Sequence, residues 1–418
     1  MTTIKVQPIH DVKSPVERDE LLLNPPQKLL IAGAVLVAVV LFAYLLATQH
    51  ISQSMLLGIG LLLGFTLFHA RFGFTSAFRR MASVGNGQAM RSHMLMLALA
   101  VTLFAPILAY GTTFFGGPVA GYVSPVGVSL IVGAFVFGIG MQLGGGCASG
   151  TLYAIGGGRT VMFVTLAFFI IGTTIGAYHL PFWTEEMPAF APVSLATSTG
   201  LGYGGAWLVS IALFGFIAWI TLIIEKKKKA PKMAALPTER GWKRIFRGSW
   251  PLFAAAIVLA VLNALTLLTR GTPWGITSAF ALWGSKIASV LGFDVASWGY
   301  WQGANAAALE ASIFTDSTTV LNLGVIIGAF IASAAGGLFK FTRVTVGNFA
   351  ASVIGGLMMG YGARLAFGCN IGAYFGGIAS FSLHGYIWGI LALAGTFLAL
   401  YLRPLFGLTV PKSNDSVC

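Results

Sequence analysis

Charged side chains are scarce in this sequence: Asp, Glu, Lys and Arg make up 9% of 418 residues, against 56% hydrophobic. A soluble domain needs about 25% charged residues to keep its surface wet, so the composition is that of an integral membrane protein. Acidic residues are the scarcer sign, 12 against 25 Lys and Arg. The net charge of +13 does not mark a nucleic-acid groove, because the basic residues cluster in connecting loops, as membrane topology requires. Cysteine is rarer still. Three cysteines with no C-x-x-C pair argue against a disulfide framework, a zinc site or a thioredoxin-like motif. Cys418, in a polar tail, does not fit the C-a-a-X lipidation pattern and reads as incidental. The six histidines show no metal-ligand spacing, and no G-x-x-x-x-G-K-[ST] loop is present for ATP hydrolysis. Membrane lipid is therefore an expected partner, and no cofactor, metal or nucleic acid is.

Glycine is plentiful, with 54 residues, which suits close helix packing and broken helices in a bilayer. The expected fold is an all-α polytopic membrane protein with about ten spans, roughly 28–49, 55–70, 92–110, 127–143, 161–179, 205–224, 252–270, 320–338, 346–364 and 384–402. No cleavable signal peptide is expected: residues 1–27 are polar, and the apolar run from Lys28 to Ala47 is long enough to span and lacks a small-residue cleavage site. The chain divides into an N-terminal tail (1–27), a first membrane half (28–224, repeat core about 55–180), a basic linker (225–251), a second membrane half (252–403) and a C-terminal tail (404–418). Glu225–Ser249 alone holds nine Lys and Arg. Placing it in the cytoplasm puts both termini and 22 of the 25 basic residues there, with Arg270, Lys286 and Arg364 as exceptions.

One motif is written twice. Residues 138–150 read GIGMQLGGGCASG and residues 360–372 read GYGARLAFGCNIG, so Cys147 and Cys369 occupy equivalent places 222 positions apart. A second string, G-x-T-S-A-F, recurs at Gly73–Phe78 and Gly275–Phe280. In the drawn topology each first copy follows a helix ending inside and each second copy one ending outside. The halves therefore read as inverted-topology repeats, with broken or re-entrant half-helices at the glycine-rich motifs. The spacing between the two strings is 20 residues longer in the second half, and the surplus falls in 281–319.

A half-helix beginning near Gly146 or Gly368 would aim free N–H groups and a positive dipole end at the membrane centre, which favours an anion. Cys147 and Cys369 are candidates to line its path, because a thiol is polarizable and a weak donor. The bland alternative is small-residue packing, since free cysteine is among the most buried residue types. Repetition at equivalent broken-helix positions favours the path. Arg364 and Asn370 flank the second cysteine. A charge within a span points to function, although Arg364 could also snorkel, and Gln142 stands at its equivalent place in the first half. The hydroxyls of Thr75, Ser76, Thr277 and Ser278 either cap the short helices that follow or face the permeating ion.

Several strings resemble the YeeE/YedE family: GMQLGGGCASGTLY at 140–153, RGWKRIFRGSWPL at 240–252, PWGITSAFALWG at 273–284, GYGARLAFGCNIGAYFGGIAS at 360–380, SLHGYIWG at 382–389 and LRPLF at 402–406. The long central linker is closer to the YedE branch. The resemblance implies a bacterial inner-membrane transporter of reduced sulfur compounds, with thiosulfate uptake as the family's activity and a selenium compound as the cargo of the YedE branch. It further implies passage of a small anionic substrate between cysteines through S–H···S⁻ hydrogen bonds, without large rocking motions, and a cytoplasmic partner resembling the TusA sulfur carriers. Family members often carry a third cysteine in the segment matching Arg71–Phe78. Here that segment is RFGFTSAF, so either Thr75 or Ser76 replaces that station or the substrate differs. The expected activity is import of thiosulfate or a related sulfur or selenium compound, not catalysis. The alternative is a membrane thiol enzyme, a sulfurtransferase or oxidoreductase, with Arg364 beside Cys369 as its supporting feature.

Overall fold

Ten stretches of helix, among the described residues, are long and apolar enough to cross a membrane. In hydrocarbon every main-chain polar group has to be paired within the chain, and apolar runs of about 20 residues satisfy this as helices of about 30 Å. The computed structural model describes residues 23–233, 236, 238–239, 241–413 and 415. Most of the N-terminal tail (1–22) and Cys418 lie outside the described residues.

Helix α1 (Lys28–Thr48) leads into α2 (Ile51–Ala70), which ends at Arg71 in the left-handed region (φ 49°). A turn then starts the short helix α3 (Phe74–Val84), followed by the spanning helix α4 (Gln88–Tyr110). Helix α5 (Val128–Leu143) stops at the glycine run, α6 (Ala148–Gly156) begins after Cys147, and α7 (Val161–Pro181) and α8 (Gly202–Lys228) complete the first half. The linker contains α9 (Lys243–Phe246). The second half has α10 (Leu252–Arg270), α11 (Thr277–Val290), α12 (Ala306–Glu310), α13 (Ser317–Ala335), capped by Asp316, and α14 (Val346–Leu365). A π-helical segment, Asn370–Gly376, then runs into α15 (Gly377–Ala379), and α16 (Leu383–Leu402) follows. Among the described residues, strands are confined to a two-residue antiparallel pair, Val126–Gly127 with Ala189–Phe190.

The ten expected spans each have their helix. The stretch 281–319 holds the rest of α11, to Val290, three short 3-10 turns, α12 and the start of α13.

Lipid tails are as apolar as leucine, so helices associate here by close packing, and glycine allows the closest approach. A Cβ on Gly64 of α2 would lie 2.0 Å from the Val325 carbonyl oxygen of α13, and one on Gly360 of α14 would lie 2.3 Å from the Phe169 oxygen of α7. Helix α2 packs along α13, α10 along α4, α7 along α14 and α16 along α5, while α5 and α14 pack on each other. Helices α1 and α8 are peripheral. Their most apolar windows are 17% buried, against 67% for α13 and for the α5–α6 stretch.

One end of the molecule gathers the linker and the start of the described chain. Arg247 donates to the carbonyl oxygens of Asn24 (2.8 Å) and Ala335 (3.0 Å), and Asn24 Nδ2 donates to Gly337 O (3.2 Å). We call this the linker end. Glu225, at the foot of α8, anchors α4 there by accepting from Arg91 (2.7 Å) and Gly87 N (3.0 Å).

Candidate functional site

Both cysteines sit where a helix is interrupted. Gly145 has φ 78° and leads the chain out of α5, after which Cys147 caps α6: its carbonyl oxygen accepts from Thr151 N (2.7 Å) and Thr151 Oγ1 (2.9 Å). In the second copy Phe367 (φ 59°) and Gly368 (φ 148°) make the turn, and Cys369 caps Asn370–Gly376, its Sγ accepting from Ile371 N at 3.4 Å. Cys147 Sγ meets Ser149 Oγ at 3.4 Å. Both thiols are buried and unbridged. The two motifs come together in space, because α6 packs against Asn370–Gly376.

Two cavities approach this region from opposite ends of α7 and α10. The linker-end cavity, of ≈ 560 Å³, is lined by Cys147, Gly146, Thr75, Ser76 and Tyr153 together with Arg71, Arg79, Arg80 and Arg159. Leu236, Ser249 and Trp250 of the linker close one side of it. The opposite cavity, of ≈ 370 Å³, is lined by Thr277, Ser278, Gly368, Gly372, Tyr122 and Tyr300, with Arg270 and Arg364. Neither lining contains a carboxylate, and none of these six arginines has an ion-pair partner among the described residues. Two concave, positively charged mouths are what a small anion would enter.

Arg364 is held in place by donating Nη1 to Tyr300 Oη (2.5 Å) and Nη2 to Thr277 O (3.1 Å), with its Cζ 4.8 Å from the Tyr300 ring centroid. Arg364 is half-buried, neither of these partners is a carboxylate, and its charge has no ion-pair partner among the described residues. Tyr122 donates to Phe367 O and so fixes the turn before Cys369. Burial holds the Tyr122 phenol above its usual range, keeping it a neutral donor.

The other expected site residues divide. Thr75 is 5% exposed, lines the linker-end cavity and leaves its Oγ1 without a partner among the described residues. Ser76 Oγ donates back to Gly73 O (3.0 Å), and Ser278 Oγ donates to Thr318 Oγ1 (3.2 Å). Neither α3 nor α11 has a side-chain cap, so capping is not what these hydroxyls do. Asn370 is fully buried with both Nδ2 and Oδ1 unpartnered among the described residues. Gln142 lies in neither cavity wall. Its Nε2 donates to Thr75 O (3.0 Å) and Thr396 Oγ1 (3.3 Å), and its Oε1 accepts from Arg79 Nη1 (3.3 Å), so it positions the Thr75 turn and Arg79.

With the geometry in hand, residues 69–398 match the family described as sulphur transport. The chain belongs to this sulphur transport family, the YeeE/YedE family of the resemblance. The matched stretch takes in both copies of each repeated string. Among relatives, the thiosulfate transporter TsuA of Escherichia coli (strain K12) is 27% identical over 359 residues, 82% of this chain and 94% of the relative. The thiosulfate transporter TsuA of Spirochaeta thermophila is 28% identical over 363 residues, 82% of this chain and 97% of the relative. The probable transporter YedE of Escherichia coli (strain K12) is 31% identical over 173 residues, 40% of this chain and 42% of the relative.

In this member of the sulphur transport family, the sequence reading missed the arginine walls. In sequence, Arg71, Arg79, Arg80 and Arg159 count only among the 22 basic residues that the topology places in the cytoplasm. The usable signal was the absence of acidic residues from the same segments.

Proposed function

We propose that this protein imports a sulfur-containing anion, thiosulfate or a related sulfur or selenium compound, across the bacterial inner membrane. The anion enters at the end opposite the linker and leaves into the cytoplasm at the linker end. The observation that carries this reading is the pair of cavities at opposite ends, each lined by one half's Thr–Ser pair, its glycine turn and its unpaired arginines. The relatives named thiosulfate transporters, aligned over 82% of the chain, support the substrate class.

Each part has a physical task. Arg270 and Arg364 raise the local anion concentration at the outer mouth, and the arginines at the linker end receive it. Between them Cys369 and Cys147 offer S–H donors and polarizable sulfur, which suit a soft sulfur or selenium anion better than sulfate. Asn370 Nδ2 and Thr75 Oγ1 supply hydrogen bonds that the protein itself leaves unmade. A buried unpaired polar group costs about 1–3 kcal/mol, a cost offset whenever the anion or water is present. No bond is made or broken along this path.

The inverted relation of the halves belongs to the same proposal. The packing of α2 on α13 has its counterpart in α10 on α4, α7 on α14 in α16 on α5, and α3 on α16 in α11 on α7, with the halves exchanged each time. That pattern supports approach of the two cysteines from opposite faces. A TusA-like carrier would take the product at the basic linker end. The enzyme alternative loses its main support, since the Arg364 guanidinium bonds Tyr300 and Thr277 and not Cys369.

Flux into proteoliposomes, compared for thiosulfate, sulfite, sulfate and selenite, tests the reading. A soft anion should cross well ahead of sulfate. Equal rates for sulfate and thiosulfate, or no flux of any of the four, would overturn it.

A further inference from the structure

Beside the linker-end cavity lies a second chamber of ≈ 320 Å³ that the proposed path does not use. It shares Arg79, Arg159 and Gly145 with that cavity, and adds Arg403, Asn348, Ser352 and Thr409. Arg403 is the unusual member, since a guanidinium this buried (6% exposed) ordinarily has a carboxylate beside it. It has none. Its Nε and Nη2 donate to Thr409 O at 3.1 and 2.8 Å, and its Nη1 donates to Gln142 O. Arg79 reaches the same residue from the other side, donating Nη1 to Gln142 Oε1 at 3.3 Å. Two guanidiniums thus converge on one neutral glutamine, with Arg159 on the same wall and no acidic residue in the lining. Like charges gathered in a partly desolvated space repel unless an anion stands among them. Donors are in place for one: the remaining guanidinium N–H groups, the Asn348 amide and the Ser352 hydroxyl, which is buried and makes no hydrogen bond among the described residues.

We propose that this chamber is a second anion site, off the thiol path, that binds a small tetrahedral dianion of the sulfate and thiosulfate shape at the linker end. Guanidinium forks match such oxygens bidentately, and the chamber offers no thiol, so it favours hard oxygen contacts over soft sulfur ones. The site does not depend on the transport reading and stands even if the thiols carry nothing.

The test uses the full-length protein carrying Cys147→Ala and Cys369→Ala, titrated with sodium sulfate at constant ionic strength and read by calorimetry and thermal unfolding. Saturable binding of one sulfate that raises the melting temperature is expected. Arg403→Gln should weaken it by roughly tenfold or more, the equivalent of one charge-assisted contact. Asn348→Asp is the second variant, because it supplies the chamber with its own carboxylate and leaves the arginines paired; it should keep the fold and abolish sulfate binding. Arg71→Gln, in the neighbouring cavity alone, should leave binding within about twofold. Equal stabilisation by sodium chloride at the same ionic strength, or binding lost in Arg71→Gln and retained in Asn348→Asp, would overturn the proposal.

Discussion

Thr75 and Asn370 are polar side chains that the protein buries and then leaves unbonded among its described residues. If they were structural, removing their polarity would cost stability. If they serve a passing anion, it would cost transport alone. Thr75→Val keeps the shape and deletes the hydroxyl, so the melting temperature should stay level or rise while thiosulfate uptake in proteoliposomes falls about tenfold. Arg364→Gln should raise the apparent KM for uptake by about tenfold through lost attraction at the mouth, with Arg364→Lys recovering part of it; initial-rate kinetics separate the two. The sequence pointed to Thr75, Asn370 and Arg364 because they sit beside repeated or charged positions. It pointed equally to Gln142, whose place in the repeat matches Arg364. The side chains diverge: Arg364 lines a cavity, and Gln142 is fully buried as a brace between α5, α3 and α16. Equivalent positions in a duplicated motif share backbone geometry, and they need not share contacts.

Interrupted helices give these residues their setting. Spanning helices were legible because a run of apolar residues has one low-energy arrangement in a bilayer. The break before α6 was legible from Gly144–Gly146, whereas the full extent of α11 and the irregular path after it were not, since tertiary packing and not local propensity sets them. The two turns differ in tolerance. At Gly368, φ is 148° and a Cβ would lie 2.7 Å from Ala373 N, a backbone atom that cannot yield. At Gly145, φ is 78° and the nearest atom is Met162 Cε at 3.0 Å, the end of a flexible side chain. Gly368→Ala should therefore lower stability by about 2 kcal/mol or more, and Gly145→Ala by about 1 kcal/mol, as measured by thermal unfolding in detergent.

For the molecule as a whole, the claim is that a positively charged mouth opens on each side of the membrane. Arginines that look like topology markers in sequence become cavity walls only when α2, α3 and α6 bring Arg71, Arg79, Arg80 and Arg159 together, which no local pattern reveals. Sidedness can be measured directly. In right-side-out vesicles a membrane-impermeant maleimide should label Tyr300→Cys, whereas Arg159→Cys should react only in inverted vesicles; labelling of both from one side would refute opposite openings. In the proposed path, passage between the mouths depends on the thiols. The most direct measurement is uptake of ³⁵S-thiosulfate by proteoliposomes containing wild type, Cys147→Ala or Cys369→Ala protein, each shown to be folded by its melting curve. Loss of uptake in either single variant, to roughly a hundredth of wild type or below, is expected for stations in series. Wild-type uptake in both variants would contradict a cysteine-lined path.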